Sequence, residues 1–129
     1  VFILVVLFSQ IEGQQIIHTE TRKDGSIKLI SYHKMVDGGM SIGLIKEEFY
    51  HYDGKKISER NYENGEKHGK EINYGDNGKK SYEGKYKNGK EDGLFIKWYE
   101  NGQKRSENTY KDGKWISKKE WNEDGSQKD

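Results

Sequence analysis

An Asn-Gly or Asp-Gly pair occurs ten times in this 129-residue chain, with the glycines at Gly25, Gly38, Gly54, Gly65, Gly78, Gly89, Gly93, Gly102, Gly113 and Gly125. No other feature restricts the fold as much. A two-residue hairpin turn of the primed type needs positive φ at its central residues, and Asn or Asp followed by Gly supplies this at the least steric cost. With Gly93 set aside, the intervals from Gly54 onward run 11, 13, 11, 13, 11 and 12 residues, an alternation that sums to a 24-residue repeat. Each interval holds one strand plus a flank, and no Pro interrupts a backbone ladder. The spacing predicts an all-β chain, an antiparallel meander of β-hairpin repeats with about eight or nine strands.

Composition narrows the kind of sheet. Charged residues make up 35% of the chain and hydrophobic residues 30%, too polar a balance for a thick closed core. Nine Tyr, three Trp and four Phe, together with the regular turns, set it apart from a disordered polar chain. The expectation is one thin, twisted sheet stabilised by neighbour-on-neighbour strand contacts. Lys and Arg number 23 against 22 Asp and Glu, a net charge of +1, and the signs are mixed along every strand. This balance gives no electrostatic footprint for nucleic acid, and exposed Lys on strands guards against edge-to-edge association. The absence of Cys excludes disulfides, thiolate chemistry and Cys-based zinc sites.

The N-terminus differs from the rest. Val1 to Phe8 read VFILVVLF, an apolar run too short to span a bilayer but of the length of a signal-peptide hydrophobic region, and Ser9 precedes a plausible cleavage point at Gln10. Residues 1–9 are therefore expected to be a signal-peptide remnant or a membrane anchor, with a buried first strand as the alternative. Export to the periplasm, cell surface or medium follows from the first reading, and a cytoplasmic location from the last. Residues 10–43 form a degenerate hairpin region and residues 44–129 the regular repeats.

Within the repeats, Tyr62, Tyr86 and Tyr110 each stand three residues before a turn glycine, at 24-residue spacing, and Gly69 and Gly93 follow the first two turns. The other turn of each unit is preceded by an aromatic: Tyr50, Tyr74, Trp98 and Trp121. Lys56, Lys80 and Lys104 share one phase, and Glu59, Glu83 and Glu107 another. If Asn77-Gly78 and Asn101-Gly102 are two-residue loops, Tyr86 faces Gly69 and Tyr110 faces Gly93, so that each ring shields strand glycine backbone. Simple alternation then puts Tyr62, Tyr86 and Tyr110 on one face, together with Lys56, Arg60, Lys80 and Lys104. Ile57, Ile72, Tyr74, Leu94, Ile96 and Trp98 fall on the other with the three glutamates, whose cross-strand partners become Lys70, Ile72 and Ile96. The 16-residue interval from Gly38 to Gly54 and the closing 12-residue interval mark irregular structure near residues 37–43 and a distorted last strand.

Residues 86–115, YKNGKEDGLFIKWYENGQKRSENTYKDGKW, resemble the MORN repeat variant, a short β-hairpin repeat with Tyr, Asn/Asp-Gly and a trailing Gly at these offsets. The resemblance covers Tyr50 to Gly125; over Ile16 to Gly43 only the Asp-Gly turns remain. It implies a MORN-like single twisted sheet acting as a binding or scaffold surface, with no catalytic residues to carry over. Bacterial proteins built of such repeats are commonly placed in the YwqK-type antitoxin family of toxin–antitoxin systems, which implies a cognate toxin as one possible partner.

No chemical site stands out. His18, His33, His51 and His68 lack metal-ligand spacing, no nucleophile elbow occurs, and the glycines lie in turns between strands instead of before helices. The residues point to a protein that is not an enzyme and holds no cofactor. The glutamate ladder suits Lys-paired side chains better than a cation site, and Asp53, Asp112 and Asp124 are turn residues before they are calcium ligands. The stronger surface argument is aromatic: in a sheet with little to cover it, Tyr62, Tyr74, Tyr86, Trp98 and Tyr110 form the candidate interaction surface. Gly54, Gly65, Gly78, Gly89, Gly102, Gly113 and Gly125 are the turn formers that set its spacing. The expected function is an exported protein-binding or scaffolding module with an unknown protein partner. The alternatives are a membrane-surface or lipid-binding scaffold, with membrane contact through residues 1–8, and an antitoxin that neutralises a toxin.

Overall fold

A computed structural model of the chain describes residues 15–129 and, as backbone, Ile3–Val6. The strands are β1 (Ile3–Val6), β2 (Gln15–Thr21), β3 (Ile27–Val36), β4 (Ser41–Tyr50), β5 (Lys56–Glu63), β6 (Glu66–Tyr74), β7 (Lys80–Lys87), β8 (Lys90–Glu91), β9 (Gly93–Trp98), β10 (Lys104–Lys111) and β11 (Lys114–Glu120). They form a single antiparallel sheet in chain order, with β8 pairing β7 beside β9. The meander expected from the turn ladder is thus the fold. Its strand count exceeds eight or nine because β1 pairs with β2 and because Asp92 divides one strand into β8 and β9. The expected signal remnant or anchor over residues 1–9 falls largely outside the described residues.

The ladder contains two kinds of turn, not one. At Asn64-Gly65, Asn88-Gly89 and Asp112-Gly113 both residues have positive φ, for example 51° and 78° at the first, as a two-residue primed turn requires. At Asp24-Gly25, Asp53-Gly54, Asn77-Gly78, Asn101-Gly102 and Asp124-Gly125 only the glycine does. There the glycine amide donates to the carbonyl three residues back, as Gly78 N–H does to Gly75 O at 2.9 Å, while Gly75 N–H donates to Lys79 O at 2.9 Å. This is a type I turn closed by a bulge glycine, a three-residue loop. Asn77-Gly78 and Asn101-Gly102 are therefore not two-residue loops. The expected pairs survive, Gly69 opposite Tyr86 and Gly93 opposite Tyr110, because the register shifts within the first rungs after each of these turns and restores the lost residue.

A second set of bulges corrects the face assignments. Between Arg60↔Glu71 and Tyr62↔Lys67 the register slips by two residues, with Gly69 at φ 93° inside the slip. Gly93, at φ 123°, occupies the same place between β8 and β9. Glu59 consequently faces Ile72 and not Lys70. Lys56, Lys80 and Lys104 lie with the glutamates and not with the tyrosines, since the turn-proximal shifts move them across. In the last unit the slip is a single residue at Ile116, between Thr109↔Ser117 and Tyr110↔Trp115. The bulge that carries Gly69 or Gly93 in the earlier units is one residue shorter here and carries no glycine, which is the reason the final interval is 12 instead of 13.

The core is thin. Among the described residues Ile72 and Phe95 are the buried hydrophobic ones, while Ser31, Glu48, Ser58, Glu71 and Ser106 are buried polar ones. The β3–β4 hairpin, with ten residues in each strand, closes through a 3₁₀ turn at Asp37–Gly39 in which Asp37, Gly38 and Gly39 all have positive φ. This is the irregularity expected near residues 37–43. Its tip exposes Met35, Met40 and Ile42, Met40 at 87%.

Candidate interaction surface

One face is organised around Phe95. On β7, alternation brings Tyr82, Gly84 and Tyr86 to the same side, and the β7–β9 register carries Phe95 against Gly84. The Phe95 ring meets Tyr86 and Tyr110 edge-on at 5.3 and 5.0 Å between centroids and Tyr82 at 6.2 Å. Edge-to-face rings at such distances gain quadrupole attraction beyond their buried area. A Cβ at Gly84 would lie 2.5 Å from Phe95 Cε1, so the ring occupies the space of the missing side chain. Positions one repeat away explain the exchange. Arg60 and Asn108 stand where Gly84 does, and their cross-strand partners Glu71 and Lys118 stand where Phe95 does. In the earlier unit Arg60 and Lys67 hold Glu71 at 3.1 and 2.7 Å. One unit satisfies the site with ion pairs and the next with a ring over a glycine.

The ring array extends both ways. Lys67 Nζ sits 4.7 Å from the Tyr86 ring centre, a cation–π contact, and Tyr82 and Tyr86 hydroxyls are 3.4 Å apart. Burial and the hydrogen bond with Tyr86 push the Tyr82 phenol pKa upward. Tyr62 Oη donates to Glu47 Oε2 at 2.6 Å, and burial together with that bond pushes its pKa up to about 12. At the other end Tyr110 faces Trp115, which is 57% exposed, with its indole N–H directed at Asn108 Oδ1 at 3.4 Å.

The opposite face is ionic. Lys56, Lys80 and Lys104 donate to Glu59, Glu83 and Glu107, each three residues on, at 3.1, 2.7 and 2.8 Å. The bulge after each turn makes this spacing reach. A denser cluster surrounds Glu48, whose side chain is 8% exposed. Its Oε1 accepts from Lys46 and Lys56 Nζ, both at 2.7 Å, and its Oε2 accepts from Tyr32 and Tyr50 Oη at 2.8 and 2.9 Å. Burial alone would raise the Glu48 pKa, but these four charged and phenolic donors outweigh it and hold the carboxyl down to about 2. Tyr32 is pushed up to about 12 by its own burial and by donating to that carboxylate.

The turns along one rim are tied to one another. Asn77 Oδ1 accepts from Lys79 N at 2.9 Å while its Nδ2 donates to Glu100 O of the next turn at 3.0 Å; Asn101 does the same with Gln103 N and Glu123 O, at 2.9 and 2.8 Å. Asp53 and Asp124 cap their own loops through Lys55 N and Ser126 N, which accounts for them as turn residues.

Of the residues singled out in the sequence, Tyr62, Tyr86 and Tyr110 share the ring-lined face, whereas Tyr74 and Trp98 lie opposite Lys80 and Lys104 on the ionic face. Trp98 borders an open groove with Tyr99, Asn101, Arg105 and Glu123, in which Arg105 stacks over Tyr99 and Tyr99 Oη donates to Trp121 O. All five are half-buried; among the described residues the most exposed rings are Tyr52 and Trp115. Sequence reasoning missed Phe95, Tyr82, Trp115 and Glu48. A signal for Phe95 was present, since it departs from Glu71 and Lys119 at the repeat offset while Gly84 departs from Arg60 and Asn108. The histidines stay apart, His33 near Ser31, His51 near Asp53 and His68 near Glu63. Comparison with protein-family models, with curated proteins and with solved structures found no match.

Proposed function

We propose that this chain is a non-enzymatic interaction module that binds a protein partner through its ring-lined face at the Tyr110–Trp115 end. The observation that carries the reading is Trp115. It stands 57% exposed at the end of an array whose inner rings are held by Phe95, Lys67 and Glu47. Rings already fixed before contact lose little rotamer freedom on binding, and Trp and Tyr are the residues in which interface energy concentrates. A cognate toxin, implied by the repeat's resemblance, is one partner of this kind, and the apolar run Val1–Phe8 supports export. The test is cross-linking capture from source cells with the wild-type chain and Trp115→Ala, using Lys79→Ala, on the opposite rim, as control. A partner band lost in Trp115→Ala and kept in the control supports the reading. A capture profile identical in all three refutes it.

A second reading has its own observation. The β3–β4 tip exposes Met35, Met40 and Ile42 at 39, 87 and 56%, an apolar point suited to a lipid surface. Flotation with anionic vesicles, comparing the wild-type chain with Met40→Asp, tests it; absence of flotation removes the membrane reading without touching the first.

A further inference from the structure

Four of the ten pairs are Asn-Gly, at Asn64, Asn77, Asn88 and Asn101, and this dipeptide holds a reaction of its own. The glycine backbone nitrogen, once it loses its proton to solvent base, attacks the Asn side-chain Cγ. The new C–N bond closes a five-membered succinimide and Nδ2 leaves, taking up a proton, as ammonia. Water then adds to either imide carbonyl and opens the ring to aspartate or to isoaspartate. The side chain must swing freely and the glycine N–H must be free of an acceptor for the nitrogen to approach. Four chemically identical pairs thus become a comparison of what holds each.

At Asn77 and Asn101 everything is held. Both ends of each carboxamide are hydrogen-bonded, and the Gly78 and Gly102 amides donate to Gly75 O and Tyr99 O at 2.9 and 3.0 Å. At Asn88 the side-chain Oδ1 lies 3.3 Å from His68 Nδ1 and the Gly89 amide donates to Lys67 O at 2.9 Å. The Asn64 turn differs. Among the described residues neither its carboxamide nor the Gly65 amide has a hydrogen-bond partner.

We propose that Asn64 is a self-modification site, converting to aspartate and isoaspartate through a succinimide with Gly65 ahead of the other three Asn-Gly pairs. The aspartate product fits the turn, since Asp112 holds φ 50° at the equivalent position. The isoaspartate product adds a methylene to the main chain of a two-residue loop and cannot keep the Glu63↔Glu66 closure. Either product places a third carboxylate beside Glu63 and Glu66, at the border of Tyr62 and Lys67 on the ring-lined face. The modification does not depend on the proposed binding function.

The folded full-length chain is incubated at mildly alkaline pH, and peptides are mapped by mass spectrometry, with enzymatic methylation to report isoaspartate. Asn64 converts roughly tenfold faster than Asn77 and Asn101, a ratio equivalent to about 1.4 kcal/mol of holding that the other two must first lose. Asn88 falls between. In denaturant the four rates converge, because only the fold distinguishes them. Asn77 or Asn101 reacting as fast as Asn64 in the folded chain overturns the proposal, as does the same unequal order persisting in denaturant.

Discussion

Gly84 and Phe95 offer a test in which one substitution changes sign with its background. An Ala Cβ at Gly84 would stand 2.5 and 2.6 Å from Phe95 Cε1 and Cδ1 and 2.8 Å from Tyr82 Oη, and Phe95 is held by Tyr86 and Tyr110 on its other sides. Overpacking of this kind costs about 1–3 kcal/mol. Opposing it is the gain of about 0.5–1 kcal/mol that Ala has over Gly in a strand, so the net destabilisation of Gly84→Ala is about 1–2 kcal/mol. Phe95→Leu removes the ring, and Gly84→Ala in that background becomes neutral or stabilising by about 0.5 kcal/mol. The coupling, about 2 kcal/mol, is within the range expected of directly touching residues. Urea unfolding followed by Trp fluorescence on the four members of the cycle measures it. The same cost for Gly84→Ala with Phe95 and with Leu at position 95 refutes the argument that the glycine exists to admit the ring. A stricter version copies the neighbouring unit: Gly84→Arg with Phe95→Glu reproduces the Arg60–Glu71 arrangement and is more stable than the two single changes summed.

Removing the Glu48 carboxylate with Glu48→Ala strands Lys46, Lys56, Tyr32 and Tyr50 and costs about 2–3 kcal/mol by chemical denaturation. The Glu48 pKa is depressed, so its contribution is full above its ordinary value of 4.5 and is lost as pH falls towards about 2; an acid titration of stability shows a wild-type loss in that window that Glu48→Ala lacks. Trp115→Ala changes stability by no more than about 0.5 kcal/mol, since the residue is 57% exposed, while weakening capture of the partner. Asn101→Asp loses the donor to Glu123 O and destabilises by about 1 kcal/mol in urea unfolding, whereas Asn64→Asp stays close to neutral.

Much of the fold was legible because hairpin turns leave local chemical marks. Positive φ demands Gly, Asn or Asp at a given residue, and this requirement is written in the chain one turn at a time. The antiparallel order and the irregular hairpin at Asp37–Gly39 follow from it, whereas the rungs Gly69↔Tyr86 and Gly93↔Tyr110 match the expectation because a register shift beside each three-residue loop restores the residue that a two-residue loop would have kept. The candidate surface was only partly legible. Tyr62, Tyr86 and Tyr110 share a face as their 24-residue spacing requires, but their burial under Glu47, Lys67 and Phe95 depends on which side chains the neighbouring strands present.

Bulges decided the remainder. An Asn-Gly pair is compatible with a two-residue primed turn or with a type I turn closed by a bulge glycine, and the dipeptide alone does not distinguish Asn64 from Asn77. A slip of one or two residues leaves the sequence period intact while moving side chains between faces, which is how Lys56 comes to Glu59 and Glu48 and how Glu59 comes to Ile72. The sequence by itself determined a hairpin meander of 24-residue units, because turn geometry is local. The tertiary structure decided what each face carries, because register depends on hydrogen bonding between strands and on whether a ring, an ion pair or a glycine fills the space between them.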